Sequence, residues 1–174
     1  TFFSLFAMAG FAQQKVYDIT AYGAKGDGIT MNTKSIQAAI DEAGQAGGGQ
    51  VIVPPGRFLT GSLILRSGVE LHLEDKAVLL GSTDPYDYPY MKAVLEKTDP
   101  DSRYRGALVQ ARDAGHIAIT GKGTIDGQGR RLALRIDSFF YAGKLDSNYY
   151  NLRRKRPERR PGDLKFLQCQ DVRI

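Results

Sequence analysis

The chain of 174 residues carries 24 lysines and arginines against 19 aspartates and glutamates, a net charge of +5, and 42% of its residues are hydrophobic. This composition is typical of one globular domain, excludes a low-complexity chain, and contains no apolar run long enough to span a bilayer. A single cysteine, Cys169, excludes an internal disulfide framework, and with only two histidines no zinc-binding set can form. We expect Cys169 to be a small core residue and the protein to need no metal or cofactor.

The first twelve residues are almost entirely apolar. They resemble the apolar part of a secretory signal peptide, in which Gly10 and Ala12 supply the small residues expected before cleavage. No initiator methionine or basic segment precedes them, so residues 1–12 are interpreted as a signal-peptide remnant; the alternative is a buried first helix. The prediction is a secreted or periplasmic protein whose mature part begins at residue 13.

Residues 16–20 predict a first strand, and a glycine-rich segment at 23–28 follows it. A phosphate-binding loop is one interpretation of such a segment. However, the glycines do not lead directly into a helix, and no Gly-Lys-Ser or Gly-Lys-Thr ends the run, so neither nucleotide-binding pattern is met. We therefore expect a tight turn.

One short amphipathic helix is predicted next, before a buried strand at 50–53. Its apolar residues recur at the helical spacing i, i+3, i+4, i+7: Ile36, Ala39, Ile40 and Ala43. Thr30 and Asn32 are candidate N-caps, and Gly44 with the run 47–49 is expected to end the helix.

Short strands separated by turns are predicted through the rest of the chain. A weak repeat relates residues 69–71, 117–119 and 172–174. Each interval between these segments would equal two coils of a parallel β-helix if one coil takes about 25 residues. A β-sandwich is the rival fold, but a lone N-terminal helix favours a solenoid, because a solenoid must cover its terminal apolar cross-section.

Several polar residues could carry chemistry but have simpler interpretations. The tyrosines of segment 84–90 could stack on sugar rings, although loop anchoring is the favoured role. Asp99 and Asp101 form a possible acid/base pair, yet their place beside a proline is typical of turn formers. Asp126 precedes a glycine and is likewise expected to shape a turn.

The order of several motifs identifies a family. The segment 22–58 contains Tyr-Gly-Ala-Lys-Gly-Asp-Gly, Asn-Thr, Ala-Ala-Ile, Gly-Gly-Gly and Val-Pro-Pro-Gly-Arg-Phe, and segment 121–129 reads Gly-Lys-Gly-Thr-Ile-Asp-Gly-Gln-Gly. In this order they resemble the N-terminal region of polygalacturonase-type glycoside hydrolases of family 28 and their pectate-lyase-like relatives. The resemblance implies an all-β fold, a right-handed parallel β-helix with a short N-terminal capping helix. Relatives place tryptophan soon after the second segment; this chain has none, which leaves the course of residues 130–150 open.

The resemblance also implies hydrolysis of pectic polysaccharide by carboxylates that this chain lacks. The family takes its catalytic groups from Asn-Thr-Asp, Asp-Asp, Gly-His-Gly and Arg-Ile-Lys segments. Asn32-Thr33 is followed by Lys34, no Asp-Asp pair occurs, and Arg135-Ile136 is followed by an aspartate. We therefore expect residues 13–174 to be the N-terminal coils of a β-helix incomplete at its C-terminus, and the chain alone to be inactive.

The strongest charge feature lies in residues 130–160, which carry a net charge of +7 while the rest of the chain carries −2. A solvated loop is one interpretation and a contact to a polyanion the other; an acidic galacturonan fits an exported protein better than nucleic acid. Lys155, Arg159 and Arg160 are the candidate substrate-binding residues, since guanidinium groups suit carboxylates. The remaining alternatives are a calcium-dependent pectate-lyase-like enzyme and a non-catalytic polysaccharide-binding β-helix.

Overall fold

The computed structural model describes residues 15–88, 107–144 and 162–174, which contain twelve short strands and two α-helices. In chain order the strands are β1 (Val16–Asp18), β2 (Asp27–Met31), β3 (Gly49–Val53), β4 (Gly56–Thr60), β5 (Leu63–Ile64), β6 (Val69–Leu73), β7 (Ala77–Gly81), β8 (Ala107–Arg112), β9 (Gly115–Gly121), β10 (Thr124–Asp126), β11 (Gly162–Leu167) and β12 (Gln170–Arg173). The helices are α1 (Thr33–Gln45) and α2 (Gly129–Tyr141).

The strands form three sheets in which every pairing is parallel. Sheet A has the order β1-β3-β6-β9-β12, sheet B the order β10-β7-β4-β2, and sheet C the order β11-β8-β5. From β3 onward the chain visits sheets A, B and C in turn before it returns to sheet A one layer further on, whereas in the first coil α1 follows β2 directly. This arrangement confirms the right-handed parallel β-helix and excludes the β-sandwich, whose sheets are antiparallel.

The core is built from columns of apolar side chains that point into the coils. In sheet A, Val51 pairs with Leu71 and Leu71 with Ile119, and all three are buried. Equivalent columns are Phe58, Leu79 and Ile125 in sheet B and Leu63, Val109 and Leu164 in sheet C. Because successive side chains of a strand point to opposite faces, the residues between them lie on the outside.

The repeated segments pair with one another in sheet A, but the predicted number of coils between them is wrong. Leu71 pairs directly with Ile119, and Ile117 pairs directly with Val172. Each interval between the repeated segments is therefore one coil, and the prediction of two coils per interval is wrong. The extra length of these coils lies between sheets B and C, in residues 82–106 and 127–161.

Helix α1 covers the N-terminal end of the β-helix, as predicted. Its four apolar stripe residues are fully buried against β1, β3, β5 and β6. The helix ends as Gly48 N–H donates to Ala43 O and Gly47 N–H to Gly44 O, which satisfies its last carbonyl groups. Gly44 itself is helical and does not end α1; a Cβ there would lie 2.5 Å from the Arg66 Cβ.

The N-cap prediction is confirmed for the position of Asn32, and it is wrong for Thr30 and for the capping hydrogen bond. Asn32 occupies the cap position of α1 but makes no side-chain capping hydrogen bond, and Thr30 lies in β2 with its hydroxyl on Asp27. The Asn32 side chain is buried and instead bonds to backbone groups of Lys25, Thr30 and Leu59. It joins the glycine-rich turn to sheet B rather than capping a helix.

The remaining local predictions have mixed outcomes. The glycine segment is a turn, with Gly23 and Gly28 at φ +87° and +74°, and it leads into a strand. Asp126 accepts a hydrogen bond from Gln128 N–H, as expected of a turn former. Cys169 lies at the margin of the core and is only partly buried. Neither α-helix of the described residues is long and apolar enough to span a bilayer.

Candidate functional site

The predicted substrate-binding residues Lys155, Arg159 and Arg160 lie in segment 145–161, outside the described residues. The same holds for Asp99 and Asp101 and for the predicted signal peptide. The sites that follow are therefore built from the described parts of the chain.

A groove of about 880 Å³ lies between the outer face of sheet B and helix α2. Its wall on the sheet comes from β2, β4 and β7, because Phe58 and Leu79 point into the coils and their neighbours point outward. Its other wall is α2. The side chains that matter for its chemistry are Asp27, Ile29, Arg57, Asp84, Arg131 and Arg135.

Helix α2 was not predicted, and its two faces explain the groove. Leu132 and Ile136, four residues apart, are buried against the body of the protein. Arg131, Arg135 and Ser138 follow at spacings of four and three on another face and line the groove. The helix is thus amphipathic, and it presents two arginines one turn apart.

Both ends of α2 are held by hydrogen bonds to the preceding coil. At the start, the Gln128 side-chain amide donates to Gly81 O at 2.7 Å. At the end, Tyr86 Oη donates to Lys144 O at 2.7 Å, and the Tyr86 ring stacks on Phe139 with centroids 6.1 Å apart. This contact, with the buried Tyr88 hydroxyl donating to Ser82 O, confirms that the first two tyrosines of segment 84–90 anchor the loop.

Three arginines line the groove, and none of them pairs with a carboxylate of the described residues. Arg131 donates to Gln128 Oε1 at 3.1 Å, and the Arg135 guanidinium lies 4.5 Å from the centroid of the Phe139 ring. Within residues 15–88, 107–144 and 162–174, no ion pair is formed by Arg57, Arg131 or Arg135. These groups can therefore offer hydrogen-bond donors to an anionic ligand.

The two carboxylates of the groove are already engaged by nearby groups. Hydrogen bonds from the Thr30 hydroxyl, and from the backbone amides of Thr30 and Ile29, lower the pKa of Asp27 to about 2. Such an acid is ionised at neutral pH and cannot serve as the protonated acid of a hydrolysis. Asp84 accepts from Tyr86 N–H in the turn at 85–87. Both carboxylates of the groove thus stabilise the turns in which they lie.

The arrangement of the apolar residues could have revealed α2 from the sequence. Leu132, Ile136 and Phe139 recur at i, i+4 and i+7, a helical stripe. One sequence signal opposed it: the helix starts at a glycine after Gln128, with no capping side chain before it. Nothing in the sequence marks Arg57 as a groove residue, because it is a single arginine in an ordinary strand.

The stacked parallel sheets and the N-terminal capping helix define a right-handed parallel β-helix of the pectate-lyase-like class. The chain belongs to the rhamnogalacturonase A/epimerase, pectate lyase-like family, whose model matches residues 16–134. The resemblance read from the sequence is thereby confirmed.

Three relatives show how far the likeness extends. An exo-poly-alpha-D-galacturonosidase of Dickeya chrysanthemi is 42% identical over 124 residues, which are 68% of this chain and 20% of the relative. The family 28 exopolygalacturonase of Yersinia enterocolitica is 26% identical with a TM-score of 0.69, over 92% of this chain and 34% of that structure. The hyperthermoactive exopolygalacturonase of Thermotoga maritima is 26% identical with a TM-score of 0.65, over 91% and 40%. The chain thus spans between a fifth and two fifths of these relatives.

Proposed function

We propose that this chain supplies the N-terminal coils of a polygalacturonase-type glycoside hydrolase that cleaves pectic polysaccharide. The observation that carries the proposal is the 42% identity, over 124 residues, to an exo-poly-alpha-D-galacturonosidase. In this proposal residues 1–12 are the remnant of a signal peptide, residues 13–174 are the mature coils, and the protein is secreted or periplasmic.

The reaction proposed for the whole protein is hydrolysis with inversion, which needs two carboxyl groups. One protonates the leaving oxygen and the other activates a water molecule on the opposite face of the sugar. The 174 residues contain no Asp-Asp pair, and Asp27 is too acidic to act as the proton donor. We therefore assign no catalytic residue to this chain and expect it to release no product by itself. No cofactor is required by this chemistry.

The contribution proposed for this chain is contact with an acidic substrate. Residues 130–160 carry a net charge of +7. Lys155, Arg159 and Arg160 are assigned to carboxylates of the galacturonan, since arginine can form two parallel hydrogen bonds to one carboxylate. In the complete gene product, removing Arg159 and Arg160 together should raise KM on polygalacturonate with little change in kcat. Lys34→Ala, on the exposed face of α1, should change neither.

The deciding experiment is to express the complete gene product and incubate it with polygalacturonate. New reducing ends without ultraviolet-absorbing unsaturated ends would support the hydrolase. Unsaturated ends that require calcium would refute it in favour of a lyase, and binding without any new ends would refute it in favour of a non-catalytic β-helix. The 174-residue chain, tested in parallel, should release neither product.

A further inference from the structure

We propose that the groove between sheet B and α2 is a binding site for an acidic oligosaccharide, separate from the place of bond cleavage and from the predicted contact at Lys155, Arg159 and Arg160. The choice of a uronic-acid sugar rests on the proposed function. The existence of an anion-binding groove rests on its own geometry.

The first argument is the placement of the charges. Arg131 and Arg135 lie four residues apart on one helix, an arrangement in which like charges repel. Arg57 approaches from β4 on the opposite wall, and no carboxylate in the described ranges forms an ion pair with any of the three. A ligand with two or more carboxylates would relieve this repulsion and accept bidentate hydrogen bonds from both walls.

The second argument is the apolar surface between these charges. Ile29 is 82% exposed and Leu134 is 61% exposed, and both line the groove beside Leu59 and Leu80. An apolar lining with a few well-placed polar groups is typical of small-ligand sites. The C–H faces of sugar rings can cover such side chains, while the ring carboxylates reach the arginines.

The third argument is rigidity. The hydrogen bonds from Gln128 to Gly81 and from Tyr86 to Lys144 hold the two ends of α2 against β7 and the turn at 85–87. The Phe139 ring under Arg135 further restricts that guanidinium. Donors that are ordered before binding lose less conformational entropy when the ligand arrives.

An acidic sugar fits the groove better than a nucleic acid does. None of the described residues that line it is aromatic, so the groove offers no surface on which bases could stack.

The test is calorimetric titration of the 174-residue chain with a short oligogalacturonate and with the same oligomer fully methyl-esterified. The acid should bind and the uncharged ester should bind far more weakly. The double variant Arg131→Ala/Arg135→Ala should lose about tenfold in affinity per arginine, and Arg57→Ala should lose about tenfold from the opposite wall. The lysine pair Arg131→Lys/Arg135→Lys should lose less, since charge is kept and only the bidentate geometry is lost.

Arg130→Ala is the matched control, because it removes the same charge from the same helix at a residue outside the groove. Equal losses in Arg130→Ala and in the groove variants would overturn the proposal, as would an unchanged affinity in the double variant. Binding of a single-stranded oligonucleotide that is tighter and depends on the same arginines would overturn the choice of ligand. Thermal melts of each variant should match the parent, since all four arginines are exposed.

Failure of this proposal and of the proposed hydrolase can be told apart. If the complete gene product releases reducing ends while the groove variants bind normally, only the groove is refuted. If the groove variants lose binding while the complete gene product releases no reducing ends, only the hydrolase is refuted.

Discussion

Replacement of Asn32 tests how the first coil is held together. Asn32 is 1% exposed, and its Oδ1 accepts from Lys25 N–H at 2.7 Å. Its amide donates to Thr30 O at 2.7 Å and to Lys25 O at 3.0 Å, with Leu59 O at 3.3 Å also within reach. One side chain thus joins the glycine-rich turn, the end of β2 and the neighbouring strand β4.

The expected cost of Asn32→Ala follows from these bonds. Three well-formed hydrogen bonds at about 1 kcal/mol each give a loss of about 3 kcal/mol in the free energy of unfolding. For a domain of this size, that corresponds to a fall in Tm of roughly 6–12 °C. The exposed Lys34→Ala in the first turn of α1 is the control and should stay within about 0.5 kcal/mol of the parent.

Asn32→Asp separates this role from helix capping. If Asn32 acted as an N-cap, aspartate would replace it without loss, because the two residues cap equally well. In the structure, aspartate would lose both amide donors and place a negative charge opposite carbonyl oxygens. We therefore expect Asn32→Asp to be at least as destabilising as Asn32→Ala at neutral pH.

The measurement is thermal and urea unfolding followed by circular dichroism for the parent and the three variants. Two outcomes would refute the reasoning. One is a Tm of Asn32→Ala within about 2 °C of the parent. At about 2–4 °C per kcal/mol, that shift would mean a loss of no more than about 1 kcal/mol in the free energy of unfolding. The other is an Asn32→Asp variant as stable as the parent, which would restore the capping interpretation.

Two further predictions concern a close backbone approach and a shifted ionisation. Gly121→Ala should give mainly insoluble protein, because its Cβ would overlap Leu73 O and its φ of +102° disfavours alanine. Gly115→Ala is the control and should stay soluble, because a Cβ there meets no atom within 4 Å. Equal solubility of the two variants would refute the argument. Burial, followed by the hydrogen bond to Glu42, raises the pKa of Tyr22 from 10.0 to about 12. The stabilisation by its neutral hydroxyl is therefore complete below pH 10 and is lost as the pH rises from 10 to 12. The fall in Tm over this pH range should be smaller in Tyr22→Phe than in the parent. An identical fall in both proteins would contradict this prediction.

Local patterns determined the capping helix and the strands. The stripe from Ile36 to Ala43 predicts α1 because helical periodicity is a property of a few neighbouring residues. Short β-branched runs bounded by glycine predicted β3, β6 and β9 for the same reason. The repeat that relates 69–71 to 117–119 is also confirmed, because β6 and β9 pair directly in sheet A.

The coil count, the role of Asn32 and the groove were decided only by the tertiary structure. The interval between two repeated segments cannot reveal whether it completes one coil or two, because insertions between sheets B and C lengthen a coil without changing its register. Arg57 and Arg131 are far apart in the sequence, and only the parallel stacking of β4 and β7, with α2 fixed on Gly81, brings them to one groove. Neighbouring residues predict local structure well, whereas a binding surface depends on contacts between distant segments that only the folded coils create.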